Sequence, residues 1–179
     1  MSDTTLHDVM PTPVGDLLLV ASEAALTGIR FDARRDPPRS GLGEAIAPSD
    51  ASTAALVLRD ARRELEEYFA GARTTFTIPL APRGTAFQER VWRALRDVPY
   101  GETASYIALT RRLGDESAVR AVAAANGRNP LPIVVPCHRV VGADGSLVGF
   151  GGGLDRKRWL LAHEQRHHPL TLSAEPDGR

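Results

Sequence analysis

The sequence has one cysteine in 179 residues, Cys137, and one lysine, Lys157, among its 22 basic side chains. The single thiol excludes an intrachain disulfide framework and any zinc site built from two or more thiolates of one chain. A thiol without a resolving partner reacts alone or not at all. The lysine scarcity by itself points to no mechanism. Long apolar runs are missing as well, and nothing approaches the roughly 18 residues that a membrane-spanning helix needs. The first apolar run, Leu17 to Val20, is too short for the core of a signal peptide and follows Asp3 and Asp8 rather than a basic segment, so the expected location is cytoplasmic. Net charge is also absent, with 22 Lys+Arg against 22 Asp+Glu, but the balance is a cancellation. Residues 1–82 carry 8 basic and 12 acidic side chains, residues 83–166 carry 13 and 8, and the last 13 residues carry 1 and 2. A basic second half suits either a solvated face or contact with a polyanion.

What is present reads as α+β. Pro13 and the Gly15-Asp16 turn signal join Val9 to Leu17 as a hairpin into a strand over Leu17 to Val20, and Leu26 to Phe31 is expected as a third strand. Asp32 to Pro48, with three prolines, is expected as a loop. Leu58, Ala61, Leu65, Tyr68 and Phe69 recur at helical spacing within Ser52 to Ala70, stopped by Gly71, and Thr74 to Ile78 reads as a strand. Pro79, Pro82 and Gly84 mark a boundary, giving an α/β unit over 1–82 and a second unit over 83–168 with a frayed tail over 169–179.

The second unit changes to short helices. Thr85 and Gln88 form a capping box ahead of the stripe Phe87, Val91, Trp92 and Leu95. Thr103 is expected to cap a second helix through Leu113, and Ser117 a third through Asn126, the pair forming a helix-turn-helix. Ile133 to Val135 and Val140 to Val141 read as a strand pair, Asp144-Gly145 as a turn, and Asp155 as the cap of a last helix.

Four motifs carry candidate chemistry. The third helix, Ala118 to Asn126, is poor in bulky side chains and bears one long cation, Arg120. That composition allows close approach to a DNA minor groove about 6 Å wide, or else tight packing in an alanine-rich core. Cys137 sits in Pro136-Cys-His-Arg-Val140, where His138 and Arg139 offer the basic surroundings a thiolate requires, although lone cysteines are often inert and buried. Gly149-Phe-Gly-Gly-Gly153 lacks the Lys-Ser/Thr of a phosphate loop; its amides are free for a neutral acceptor, or the segment is a plain turn. His163-Glu-Gln-Arg-His167 spells the zinc-protease pattern, but only Glu175 and Asp177 follow as acidic third ligands.

From about Gly84 to Glu164 the chain resembles the O6-alkylguanine-DNA alkyltransferases. The resemblance rests on Phe87-Gln-Glu-Arg-Val-Trp92, Val98-Pro-Tyr-Gly-Glu-Thr103, Ser105-Tyr106, Arg120-Ala-Val122, Asn126-Gly-Arg-Asn-Pro130, Pro136-Cys-His-Arg-Val140 and Gly151-Gly-Gly-Leu154. It implies a ribonuclease H-like α/β unit followed by a mainly helical, winged-helix-like unit with a helix-turn-helix. It further implies direct-reversal DNA repair, in which Cys137 accepts a methyl or alkyl group from O6 of guanine once and irreversibly, with O4 of thymine left open as a second substrate. His138, acting through a water and oriented by Glu164, would be the base; Asn129 would brace the active-site segment; Tyr106 would donate to guanine N3. Arg120 would enter the base stack, and Ala121, Ala124, Arg128, Ser105 and Thr103 would meet DNA. Val140, Phe150, Gly151 and Gly152 would line the base pocket, with Gly151 and Gly152 leaving room for groups larger than methyl.

The implied partner is double-stranded DNA containing O6-alkylguanine, bound at the minor groove by a monomer, with cooperativity on DNA open and with access to a bacterial-type nucleoid. No cofactor and no metal are implied, and residues 1–82 hold only His7, so the N-terminal zinc site of some relatives has no ligands here. Two rival readings remain: a nonreactive alkyltransferase-like lesion binder, and a zinc peptidase using His163, Glu164 and His167. Relatives of the first kind carry tryptophan where this chain has Cys137.

Overall fold

The computed structural model describes residues 5–32 and 43–168. Strands β1 (Thr5–Met10), β2 (Leu17–Ser22) and β3 (Ala25–Phe31) form an antiparallel meander, and β4 (Glu44–Ala45) pairs in parallel with β1, giving the order β3-β2-β1-β4. β1 starts earlier than the hydrophobic pattern indicates. Its first residues are mixed in polarity, and pairing of Thr5 with Ser22 through Met10 with Leu17 extends it where composition does not. Of the expected loop over Asp32 to Pro48, residues 33–42 lie outside the described residues.

Helix α1 (Thr53–Phe69) covers the sheet. Ser52 caps it by accepting from Ala55 N at 3.3 Å, and Ala54, Ala55, Leu58, Ala61, Leu65 and Tyr68 form the buried stripe. Gly71 ends it at φ 75°, a conformation that favours glycine. The strand expected over Thr74 to Ile78 does not form. The Glu64 carboxylate accepts from Thr77 N (2.8 Å), Ile78 N (3.4 Å) and the Thr77 hydroxyl, so this backbone is satisfied by a side chain instead of a neighbouring strand. Only Leu80 bridges to the sheet, at Leu26.

The second half opens with α2 (Ala86–Leu95), capped by the Thr85–Gln88 box as its sequence requires. β5 (Ala104–Ser105) pairs in parallel with β6 (Val140–Val141). That pairing holds Ala104 and Ser105 extended, so α3 (Tyr106–Arg112) is capped by Ser105, which accepts from Ala108 N, and not by Thr103. Similarly, Asp115, not Ser117, caps a 3-10 turn over Glu116–Ala118 that leads into α4 (Val119–Gly127). Its carboxylate takes both the amide and the hydroxyl of Ser117, which holds that serine inside the 3-10 turn and not at the helix start. α5 (Leu154–His167) starts from Gly153 at φ 89°; Asp155 lies inside its first turn and pairs with Arg158. The tail over 169–179 lies outside the described residues.

Ile133 to Val135 is not a strand either. Ile133 adopts φ 76°, rare for a β-branched residue, inside a tight turn closed by Val135 N donating to Leu131 O at 2.8 Å. Pro132 and Pro136 flank this turn, and neither has a backbone donor for a ladder. One buried apolar cluster runs from Leu6 and Leu19 through Tyr68, Val91 and Leu109 to Val135, Cys137 and Leu160, joining both halves.

Candidate active site

The turn at Leu131–Val135 delivers Pro136 and then a 3-10 turn over Cys137–Arg139, and every residue from Leu131 to Val140 is buried. Asn129 holds this segment in place: its Nδ2 donates to Val135 O at 2.8 Å and its Oδ1 accepts from Leu131 N at 3.0 Å. Such bracing accounts for the persistence of the strained Ile133 conformation. The Cys137 thiol lies buried in the turn that follows. Burial pushes that thiol up to about 11, while the neighbouring Asn129 amide and Lys157 ammonium pull the other way.

His138 points from the same turn into the protein and is fully buried. Its Nε2 lies 2.7 Å from Glu164 Oε1. The carboxylate can only accept, so Nε2 carries the hydrogen and the neutral ring keeps its lone pair at Nδ1, which makes no protein hydrogen bond. Burial lowers the His138 pKa despite the raising effect of Glu164, so the ring is neutral at rest. Burial alone would raise the Glu164 carboxyl, yet the hydrogen bonds from His138 and Arg139 and the Arg139 charge outweigh it and hold the group well below the usual carboxylate range.

Glu164 gathers four partners on two oxygens. Arg139 donates from Nε (2.9 Å) to Oε2 and from Nη2 (3.0 Å) to Oε1, Gly101 N donates to Oε2 (3.1 Å), and Tyr68 Oη donates to Oε1 (2.8 Å), beside His138. Arg139 also donates to Val98 O at 2.7 Å, which satisfies a further donor of the buried guanidinium. Lys157, with no exposed surface, donates from Nζ to the carbonyls of Val140 (2.6 Å), Val148 (2.7 Å) and Gly149 (3.2 Å), tying the glycine loop to the strand after the active-site turn.

A cleft of about 260 Å³ opens on Cys137. Asn126, Asn129, Pro132, Phe150, Gly151 and Gly152 line it together with Ile29 to Asp32, the end of β3 and the residue after it. Tyr106 stands nearby, half-buried, its hydroxyl accepting from Asn126 Nδ2 at 3.2 Å. Burial raises its pKa, partly opposed by Asn126, so it remains a donor. Gly151 would bring an added Cβ no closer than 3.7 Å to Gly127 O. Gly152 is different: a Cβ there would fall 2.7 Å from the Phe31 ring and 2.8 Å from Phe150, so this glycine permits a close approach of aromatic rings and does not leave free room beside the thiol. The expectation of open space at Gly152 is thereby corrected.

Beyond the cleft, α4 buries Val122, Ala125 and Asn126 and exposes Arg120, Ala121, Ala124, Gly127 and Arg128, a face of small residues flanked by two cations. Ser105 is used as a cap, and exposed Thr103 lines a separate depression with Val141, Leu147 and Arg158. The protease-like motif is not assembled as a metal site. His163 Nε2 donates to Tyr68 O (2.8 Å), His167 Nδ1 donates to His163 O (2.9 Å), and Glu164 is committed as above. Among the described residues no group of three His, Cys, Asp or Glu side chains is disposed to hold a metal. Four contributors escape sequence reasoning: Tyr68 reads as core, Asn126 as a helix end, Arg139 as generic positive surroundings, and Lys157 as a scarcity without a mechanism. Only the last had a signal, its uniqueness among 22 basic residues.

A mixed sheet-and-helix scaffold carrying a buried thiol beside a histidine–carboxylate pair, next to an exposed small-residue helix, defines a thiol-bearing α+β class of protein. Family profiles match over most of the chain: 6-O-methylguanine DNA methyltransferase, ribonuclease-like domain, over residues 5–82, and 6-O-methylguanine DNA methyltransferase, DNA binding domain, over 86–166. The chain belongs to the 6-O-methylguanine DNA methyltransferase family. It is 48% identical over 168 residues to the methylated-DNA–protein-cysteine methyltransferase of Mycolicibacterium paratuberculosis, covering 93% of this chain and 96% of that one. The Methanosarcina barkeri protein of the same name is 40% identical, covering 90% and 98%. The crystal structure of Mycobacterium tuberculosis O6-methylguanine methyltransferase superposes with a TM-score of 0.81 at 40% identity over 94% of this chain and 98% of that one. The same organism's enzyme in complex with DNA gives 0.80 at 40% identity over 92% and 95%.

Proposed function

We propose that this protein repairs DNA by transferring a methyl or larger alkyl group from O6 of guanine to Cys137 in a single irreversible event. The observation that carries this reading is the Cys137 thiol at the floor of a cleft, backed by a neutral His138 whose Nε2 is fixed by Glu164. In the resting site both partners are uncharged, since burial favours the thiol and the imidazole over the ion pair. His138 Nδ1, through a bridging water, takes the thiol proton as sulfur approaches the alkyl carbon. The S–C bond forms as the C–O6 bond breaks, and the proton lost by sulfur ends on the released guanine. Tyr106 donates a hydrogen bond to guanine N3, and backbone groups of Cys137, Val140 and Gly151 address the base edge and O6. The thioether product has no S–S bond to exchange, so each molecule turns over once.

In this reading residues 1–82 form a ribonuclease H-like unit, residues 83–168 a winged-helix-like unit, and 169–179 a frayed tail. The exposed face of α4 enters the minor groove of duplex DNA as a monomer. Arg120 fills the stack left by an extruded nucleotide, whose unstacking costs a few kcal/mol, and Ala121 and Ala124 permit the close approach. Arg128, Thr103 and Ser105 make further DNA contacts. No helix among the described residues is long and apolar enough to cross a membrane, and the proposed location is cytoplasmic, with access to the nucleoid. Incubation with a duplex containing O6-methylguanine, followed by intact-protein and peptide mass spectrometry, is expected to find one added methyl group, on Cys137. An unchanged mass with DNA still bound would replace this reading with that of a nonreactive lesion binder.

A further inference from the structure

Tyr68 lies 96 residues before Glu164 in sequence and comes from the helix that covers the N-terminal sheet, yet α5 grips it twice. Its hydroxyl donates to Glu164 Oε1 at 2.8 Å, and its carbonyl accepts from His163 Nε2 at 2.8 Å. The His163-Glu164 pair that looked like part of a zinc motif is thus a two-point clamp on one tyrosine. Tyr68 is fully buried, wedged among Phe69, Phe76, Tyr100 and His163 at ring-centroid distances of 5.3 to 6.0 Å, so its hydroxyl has no freedom to leave the carboxylate.

The oxygen it binds is the one that receives the His138 Nε2 hydrogen. A donor on that oxygen draws off negative charge that would otherwise stabilise imidazolium, and thereby weakens His138 as a proton acceptor at rest. We propose that Tyr68 is a positioning residue for the Glu164–His138 pair, through which the N-terminal unit sets the protonation midpoint of the base. The inference rests on the alkyl-transfer reading above for its consequence in rate, but not for its consequence in titration. The other charged or titratable groups facing the pair are Arg139 and Cys137 from the active-site turn, Lys157 and His163 from α5, and Tyr100 from the segment before β5. All of these stay in place when only the Tyr68 hydroxyl is removed.

The test is Tyr68→Phe in the full chain, which keeps the ring packing. Histidine 15N chemical shifts, titrated with His138 assigned, are expected to show its midpoint moving up by about half a pH unit or more, the size of losing one donor to a charged acceptor. The acid limb of the methyl-transfer rate should move up with it. Tyr100→Phe is the matched control, since it removes a buried hydroxyl with no hydrogen-bond partner, 6.0 Å away between ring centroids, and should leave the midpoint in place. Site-specific 3-fluorotyrosine at position 68, a stronger donor, should shift the midpoint down, and it serves also if the Phe variant folds poorly. A His138 midpoint unmoved by both changes at Tyr68, or moved equally by Tyr100→Phe, overturns the proposal. Loss of methyl transfer in the unmodified protein would overturn the alkyl-transfer reading while leaving the titration result standing.

Discussion

The Cys137 thiol is held protonated at rest, and a simple measurement follows. Its pKa is raised from 9.0 to about 11 by burial. A group whose folded pKa is raised contributes stability that is intact below the unfolded value and is lost as pH climbs through the folded one. Between about pH 9 and pH 11 the thiol should therefore withdraw about 3 kcal/mol of folding stability. Urea unfolding of wild type against Cys137→Ser across that range isolates the effect from Lys157 and the tyrosines, and a variant with the same alkaline slope as wild type contradicts it. The acid side has the opposite sign. The lowered pKa values of Glu164 and His138 both contribute stability present above their unfolded values, lost as pH falls first through the histidine and then the carboxylate range. Cys137 and His138 were legible because they are adjacent in a specific motif. Tyr68 and Gly101, which complete the Glu164 environment, were not, because their roles exist only where distant segments meet.

At the scale of the element, α4 combines low bulk with exposure. Ala121 and Ala124 present no side chain beyond Cβ to solvent, while Val122 and Ala125 pack against α2 and α3 and Trp92 Nε1 donates to Ala125 O at 2.8 Å. Ala124→Leu should weaken binding to duplex DNA about tenfold, about 1.4 kcal/mol, measured by fluorescence anisotropy, with thermal stability unchanged because the site is exposed. A matched fall in melting temperature would show that the face is structural. Arg120→Ala should slow reaction on duplex more than on the free base. The helix itself was readable from composition, but its beginning was not. Thr103 and Ser117 are good capping residues by type, whereas Ser105 and Asp115 win the positions because the β5–β6 pairing and the Asp115 side-chain bonds fix where the chain can turn.

At the scale of the whole molecule, Arg156 fastens the two halves beside the cleft. Its Nε donates to Val14 O at 2.6 Å, Nη1 to Asp32 Oδ2 at 3.1 Å and to Gly152 O at 2.9 Å, and the guanidinium sits 5.1 Å from the Phe31 ring centre. The glycine loop is therefore positioned by the N-terminal sheet as well as by Lys157. Arg156→Ala should cost about 2 kcal/mol, a fall of about 4 to 8 °C in melting temperature for a chain of this size, and should slow alkyl transfer. An unchanged melting temperature would remove this contact from any role in joining the halves. Gly152→Trp should impair methyl and benzyl transfer alike, because the new ring meets Phe31 and Phe150 before it meets any alkyl group.

The sequence by itself determined the helix capping box and the α+β class and singled out Cys137, His138 and Glu164 for the proposed roles of nucleophile, base and orienting carboxylate, since each is carried by a local motif or a short-range periodicity. The tertiary structure decided which oxygen of Glu164 each partner uses, that Ile133 to Val135 is a strained turn and not a strand, that Gly152 is packed, and that the N-terminal helix reaches the reactive site. Those outcomes depend on contacts between segments far apart in the chain, where hydrogen-bond satisfaction and close packing override local preference.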